Sequence, residues 1–208
     1  MGRIGSEFDT VNIFDKAKLL AHILRWRLTW DRRDTAYVPT EKLPEKFRSA
    51  RSAADRIPDG ACVISCGFAG HARCSIFFWA VRERFEQTGH PRGLTWISVA
   101  AQGGRGRVPG TVEEVGLDGL VTRYISGHSE TAKSLLHLAE AGRLELHALP
   151  QGEMTQAIEA QGRGEPGVRS RVGRGTFLDA RVGRGSPVTA RAEAQFACPD
   201  GDEIAYSL

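Results

Sequence analysis

The sequence predicts an α/β fold with an open, mainly parallel sheet flanked by helices. Short apolar runs at 61–65, 94–100, 120–125 and 144–148 have the length of strands. Each is followed by a glycine-bearing turn, at 66–72, 102–106, 126–128 and 150–152. Helical runs come after most of these turns, so the chain reads as strand, glycine turn, helix, repeated. Parallel strands connected in this way bring all four turns to one carboxyl edge, where ligands of such sheets bind.

Taken in order, residues 1–8, MGRIGSEF, have the look of vector-derived sequence and are set aside. A helical extension and linker is expected over 9–44. Its helical run, Phe14 to Trp30, carries Phe14, Ala17, Leu20, Ala21, Leu24 and Leu28 at helical spacing, with Lys16, Lys18, Arg25 and Arg27 elsewhere. A basic amphipathic helix of this kind can lie on a membrane; the expectation here is a Leu20/Leu24/Leu28 face buried against protein. A short strand is expected at Thr35 to Val38, then a linker from Pro39 to Pro44.

The main domain is expected at 45–208. A helix from Glu45 to Arg56 ends before Pro58. Asp59-Gly60 turns into Ala61-Cys62-Val63-Ile64-Ser65, a continuous apolar run suited to a buried parallel strand. A turn at 66–72 leads to a helix from Ser75 to Gln87. The strand LTWISVA, Leu94 to Ala100, precedes Gln102 and Gly103; the Gln102 amide could hold a carboxylate or carbonyl oxygen, and Arg105 and Arg107 are expected in solvent. A glycine turn at Val115 to Leu120 and a strand to Ile125 lead to Ser126-Gly127-His128, then a helix from Glu130 to Ala141. The strand at Leu144 to Ala148 turns at Pro150-Gln151-Gly152 into a helix, Glu153 to Gln161. Unpaired N–H groups at such a turn suit an anion or carbonyl oxygen, and Gly152 is a candidate for positive φ. Glycines and arginines then alternate as far as Gly185. The tail carries a strand at Ala192 to Ala197, a turn at Pro199-Asp200-Gly201 and a strand at Glu203 to Ser207.

Composition narrows the function classes. At 208 residues and 41% hydrophobic, the chain can bury one good core. A formal charge of +3, with no RNP, zinc or helix-turn-helix word, gives no support to nucleic-acid binding. Cys62, Cys66, Cys74 and Cys198 form no metal pattern and are expected reduced, mostly buried and cytoplasmic. No signal peptide and no membrane-spanning apolar run is visible. No G-x-S-x-G elbow supports a hydrolase triad, and no G-x-G-x-x-G opens a helix to bind a dinucleotide.

Several words, in a consistent order, resemble the amino-terminal (alpha) half of family I CoA-transferases, closest to the broad-specificity acetate/propionate branch. They are Asp59-Gly60 with Gly67-Phe68, Phe85 to Pro91 followed by Leu94-Thr95, Gly127-His128, Pro150-Gln151-Gly152, and Gly175-Thr176-Phe177-Leu178-Asp179. Cys66, Ala72 and Cys74 depart from the family's glycine, glycine and proline; Ser126 replaces a glycine and Ala180 a proline. The resemblance implies a three-layer fold, acyl-CoA and carboxylic acid as substrates with coenzyme A as the carried group, and no metal. It also implies substrate contacts from Gly67, Phe68, Gln102, Gly103, Gly127, His128, Gln151 and Gly152. The family's nucleophilic glutamate matches no position here, so no catalytic residue is named in this chain. The matching words run out near Glu203, and the domain reads as truncated at its carboxyl end. The glutamate is therefore expected on a beta-type subunit or carboxyl-terminal half. The alternatives are a CoA-thioester decarboxylase or hydrolase on the same fold, or a non-catalytic subunit.

Overall fold

The computed structural model describes residues 12–28, 33–40, 44, 46–68, 72–104 and 108–208. The expectations for 1–8, for Trp30, for Arg105 and Arg107 and for the centre of the 66–72 turn lie outside these residues. Two units form, Met1–Asp34 and Thr35–Leu208. The division falls earlier than the linker expected from sequence because Thr35 belongs to the larger unit. Thr35 is buried, its hydroxyl donates to Glu83 at 2.6 Å and its carbonyl accepts from the Arg51 N–H. No strand forms at 35–38.

In the first unit, α1 (Ile13–Leu28) forms as the periodicity predicts. Within this unit Leu20, Leu24 and Leu28 are exposed. Among the described residues no helix is long and apolar enough to cross a membrane.

The second unit is built on four strands, β1 (Cys62–Ser65), β2 (Leu94–Ser98), β3 (Val121–Ser126) and β4 (Glu145–Ala148). They are all parallel and in the order β1-β2-β3-β4. Between them lie α3 (Ser75–Thr88), a 3-10 helix (Val112–Val115) and α4 (Lys133–Glu140); α2 (Ala50–Ala54) precedes β1. Stepwise neighbour order with right-handed crossovers places every connection on the same face of the sheet. On that face Phe78, Val81, Val112, Val115 and Leu135 pack with Leu94, Trp96, Tyr124 and Leu146. The helix expected from Glu45 is only the short α2, capped by the Ser49 hydroxyl on the Ser52 N–H. The turn expected at 115–120 does form, but the 3-10 helix leads into it, capped by Thr111.

The opposite face carries α5 (Gln151–Gly162) and a second, antiparallel sheet in the order β5-β7-β6. Its strands are β5 (Val168–Ser170), β6 (Ala197–Asp200) and β7 (Glu203–Tyr206). Ile97, Ile125, Leu149 and Met154 pack there with Ala197, Ile204 and Tyr206. The result is three layers, with the parallel sheet in the middle. One sequence expectation is corrected on this face. The strand expected at 192–197 forms at Ala197–Asp200 instead, because the alternating partners of Glu203–Tyr206 are those residues. The carboxyl-terminal hairpin forms the second sheet together with β5.

The outer edge of β4 is covered by a return of the chain. The Ala148 N–H donates to the Ser186 carbonyl, the Val188 N–H to the Leu146 carbonyl, and the Leu146 N–H to the Thr189 hydroxyl. The four cysteines are free as expected, but Cys62, Cys66 and Cys198 are exposed and Cys74 is intermediate. The correction follows from position: Cys62 and Cys66 sit on the edge strand and its exit, where no further strand of the described residues covers them.

Candidate functional site at the carboxyl edge of the parallel sheet

The register aligns Ser65, Ser98, Ser126 and Ala148 in one row across the sheet, the last residue of each strand. The turns that follow therefore emerge side by side, as parallel strand–turn–helix order requires. Gly67, Phe68, Gln102, Gly103, Gly127, His128, Gln151 and Gly152 all come from these turns or from the helix start that ends the last of them.

Gln102 ties the first two strand ends together. Its Oε1 accepts from the hydroxyls of Ser65 at 2.5 Å and Ser98 at 3.2 Å, and its Nε2 donates to the Ser65 carbonyl at 2.8 Å. The Trp96 indole N–H donates to Ser65 Oγ at 2.8 Å from below. Gln102 is buried, and both ends of its amide are engaged within the chain. Here its side chain positions the strand ends. The next residue, Gly103, has room for nothing larger: a Cβ would lie 1.7 Å from the Thr131 carbonyl oxygen.

Gly127 is the point of closest approach between three turns. A Cβ there would lie 2.4 Å from Gln151 Cγ and 2.5 Å from the Val99 carbonyl oxygen, so the β3 exit, the β2 exit and the start of α5 meet at a bare glycine. His128 follows, half-buried, with its N–H donated to Ser126 Oγ at 3.1 Å. Pro150 stands at the N-cap of α5 in extended backbone, and Gln151 and Gly152 form the first helical turn. Gly152 is thus helical and not at positive φ, which corrects the sequence expectation; the chain makes its turn at Pro150. Nothing lies within 4 Å of where a Gly152 Cβ would be, so this first turn faces open space. Gly67 does take a positive φ, 128°, and its backbone packs on Ala72 and Arg73. Phe68 beside it is exposed.

A cleft of about 330 Å³ opens at the same edge, between the ends of β1 and β2 and the first turns of α5. Sequence reasoning missed two of its walls. Val99 and Ala100 were read as strand interior, whereas β2 ends at Ser98, and Thr155 and Ile158 were read only as helix.

The glycine- and arginine-rich stretch is not a loose loop. Asp179 is buried and accepts from the N–H groups of Gly175 and Arg181 and from the Arg181 guanidinium at 2.7 and 2.9 Å. Arg181, and then the Gly175 N–H, hold the Asp179 carboxyl well below the usual carboxylate range. Arg181 also donates to the Gly201 carbonyl at 2.6 Å, which fastens the stretch to the β6–β7 turn. Arg171 and Arg174 both pair with Asp202. Glu153 is buried with Oε1 accepting from Ser170, and Glu165 is paired with Arg163. Among the described residues no group of three or more His, Cys, Asp or Glu side chains could hold a metal ion.

An α/β edge of this kind, with PQG, Gly-Thr-Phe and Gly-His words placed around it, defines a CoA-transferase type of domain. No family model matches the chain. It is 32% identical over 166 residues to the caffeate CoA-transferase of Acetobacterium woodii, a match that covers 77% of this chain and 31% of that protein. It is 33% identical over 135 residues to the acetate CoA-transferase YdiF of Escherichia coli (strain K12), covering 64% of this chain and 25% of that one. Among solved structures, a thioester complex with CoA of the acyl-CoA transferase YdiF from E. coli O157:H7 superposes with a TM-score of 0.69 at 27% identity, over 76% of this chain and 31% of that one. The apoenzyme of the same protein gives 0.69 at 26% identity, over 84% and 33%. The chain belongs to the family I CoA-transferases. It spans about a third or less of the length of these relatives.

Proposed function

We propose that this chain is the alpha-like half of a CoA-transferase that moves coenzyme A between carboxylic acids. The reaction would run through a glutamyl-CoA thioester whose glutamate lies on a beta-type subunit or carboxyl-terminal half. The observation that carries the reading is the row Ser65, Ser98, Ser126 and Ala148, which gathers the family's glycine words on one open edge. The caffeate and acetate CoA-transferases it resembles support acyl-CoA and a carboxylic acid as substrates.

This half would bind and orient. Gly67, Gly103 and Gly127 let the turns pack closely on Ala72 and Arg73, on Thr131, and on Val99 and Gln151, which shapes the edge a ligand would meet. The N–H groups of the first α5 turn, at Gln151 and Gly152, have no intrahelical acceptors and suit a developing oxyanion. His128 and Phe68 flank this edge as polar and apolar contacts. Gln102 acts by fixing the two strand ends that carry these turns. The incoming glutamate carboxylate attacks the thioester carbonyl and CoA thiolate leaves. The thiolate then attacks the mixed anhydride at the glutamyl carbonyl, releasing the acyl group as a free acid. Glu153 and Glu165 are unsuited to that attack, one buried against Ser170 and the other paired with Arg163.

The test is CoA exchange between an isotopically labelled short-chain acid and an acyl-CoA. It is run with this chain alone and with a co-expressed complementary half, with borohydride reduction of any glutamyl thioester. Exchange only in the mixture, with the adduct on the complementary half, is expected. Turnover by the chain alone, or an adduct on one of its own glutamates, refutes the reading.

A further inference from the structure

We infer that the cleft between β1, β2 and α5 is a pocket for the uncharged hydrocarbon part of a carboxylic acid or thioester, of aromatic size. This deepens the reading of the carboxyl edge as an acyl-CoA site and rests on it for the identity of the ligand's acid group.

Size, lining and position lead to this ligand. The cleft holds about 330 Å³, whereas an apolar cavity of about 150 Å³ already accommodates benzene. There is room for a ring with a short chain, and a two-carbon acyl group would leave most of the space unfilled. Ile64, Val99, Ala100 and Ile158 supply apolar walls, and among the described residues no charged side chain lines the cleft. The two side-chain hydroxyls on the lining are already committed. Ser65 Oγ donates to Gln102 and accepts from Trp96, and Thr155 Oγ1 donates to the Gln151 carbonyl at 3.0 Å. The side chains therefore offer a ligand chiefly the burial of apolar surface, at roughly 25 cal/mol per Å². A carboxylate cannot be buried among such groups without a large penalty. It stays at the open edge, beside the first turn of α5.

Cys66 makes the proposal measurable, since its thiol is exposed and lies on the lining. The full chain is treated with iodoacetamide, and alkylation of each cysteine is followed by peptide mass spectrometry. The probe is 3-phenylpropanoate, which is saturated and cannot add to a thiol. At ten times its dissociation constant it slows Cys66 alkylation about tenfold by mass action. The exposed Cys198, on β6, keeps its rate. Acetate at the same concentration protects neither. Ile158→Trp and Thr155→Trp each fill the cleft from α5, and in either variant that retains the wild-type circular dichroism the added acid no longer changes the Cys66 rate. Unchanged Cys66 alkylation with 3-phenylpropanoate, equal slowing at Cys198, or protection that survives both substitutions overturns the proposal. CoA exchange without Cys66 protection would remove this pocket and leave the transferase reading intact. Protection without CoA exchange in any mixture would keep the pocket and remove that reading.

Discussion

Gln102 was singled out in the sequence by its place after a strand, but its partners were not legible there. Ser65 and Ser98 are remote in sequence, and only the parallel register sets their hydroxyls beside one amide. Replacing Gln102 by Met strands two hydroxyls and a carbonyl in a buried site. Each unsatisfied group costs about 1–3 kcal/mol, partly relieved by rearrangement of the hydroxyls. The urea midpoint should fall by an amount equivalent to about 3 kcal/mol. An unchanged midpoint would mean that the network contributes nothing. His147 gave no signal in the sequence. It is fully buried against Phe196, with Nε2 3.5 Å from Glu145, and burial pushes its pKa down despite that carboxylate. The folded state thus binds fewer protons than the unfolded state as pH falls through the unfolded value near 6.5. Stability attributable to His147 is present above that pH and lost progressively below it. Denaturation midpoints measured from pH 7.5 down to 5.5 should show the decline, and His147→Phe should flatten it.

At the scale of elements, strand and helix positions were largely legible, because apolar runs and helical periods are local properties of the chain. The exceptions were decided by tertiary contact. Residues 35–38 favour extended structure by composition but are held as a turn by Glu83 and Arg51. Gly152 reads as a turn glycine but falls inside α5, because Pro150 has already made the turn. The role of Gly127 depends on Val99 and Gln151 meeting it. Gly127→Ala must displace the Val99 carbonyl, 2.5 Å from the new Cβ, and overpacking of this kind costs about 1–3 kcal/mol. Gly152→Ala meets nothing and should leave stability unchanged or slightly raised; the pair, compared by thermal unfolding, tests the packing directly. The glycine and arginine stretch is braced by the Asp179–Arg181 pair, a contact that its composition does not reveal. Asp179→Ala should open it to trypsin at Arg181 and Arg184, with cleavage at least several-fold faster than in the wild type. Equal cleavage rates would show that the braces do not order it.

The whole molecule rests on one sheet covered on two faces by different means. One face is closed by the crossover elements themselves, so its core assembles from residues near in sequence. The other is closed by α5 and by a sheet that joins β5 at 168–170 to the distant hairpin of β6 at 197–200 and β7 at 203–206. This is why the first face could be inferred from the strand–turn–helix rhythm while the second could not: pairing of β5 with β7 is non-local, and a three-residue strand has no readable period. Tyr206 joins the pieces. It is buried, its hydroxyl donates to the Val172 carbonyl, and burial pushes its pKa up to about 12, so it stays a neutral donor through the physiological range. Tyr206→Phe removes only the donor and leaves Val172 unmet, which costs about 1–2 kcal/mol. Tyr206→Ala also empties the space between β7 and the glycine stretch and should cost about 3–5 kcal/mol, the range for truncating a buried aromatic. Because β5 pairs with β7 and α5 packs on both, the damage should spread through this layer. Hydrogen exchange in Tyr206→Ala is expected to rise together in β5, β6, β7 and α5, while β2 and β3 remain protected by the opposite core. Exchange that rises equally in all strands would show that the two faces unfold as one, and a rise confined to β7 would show that the hairpin does not hold the layer together.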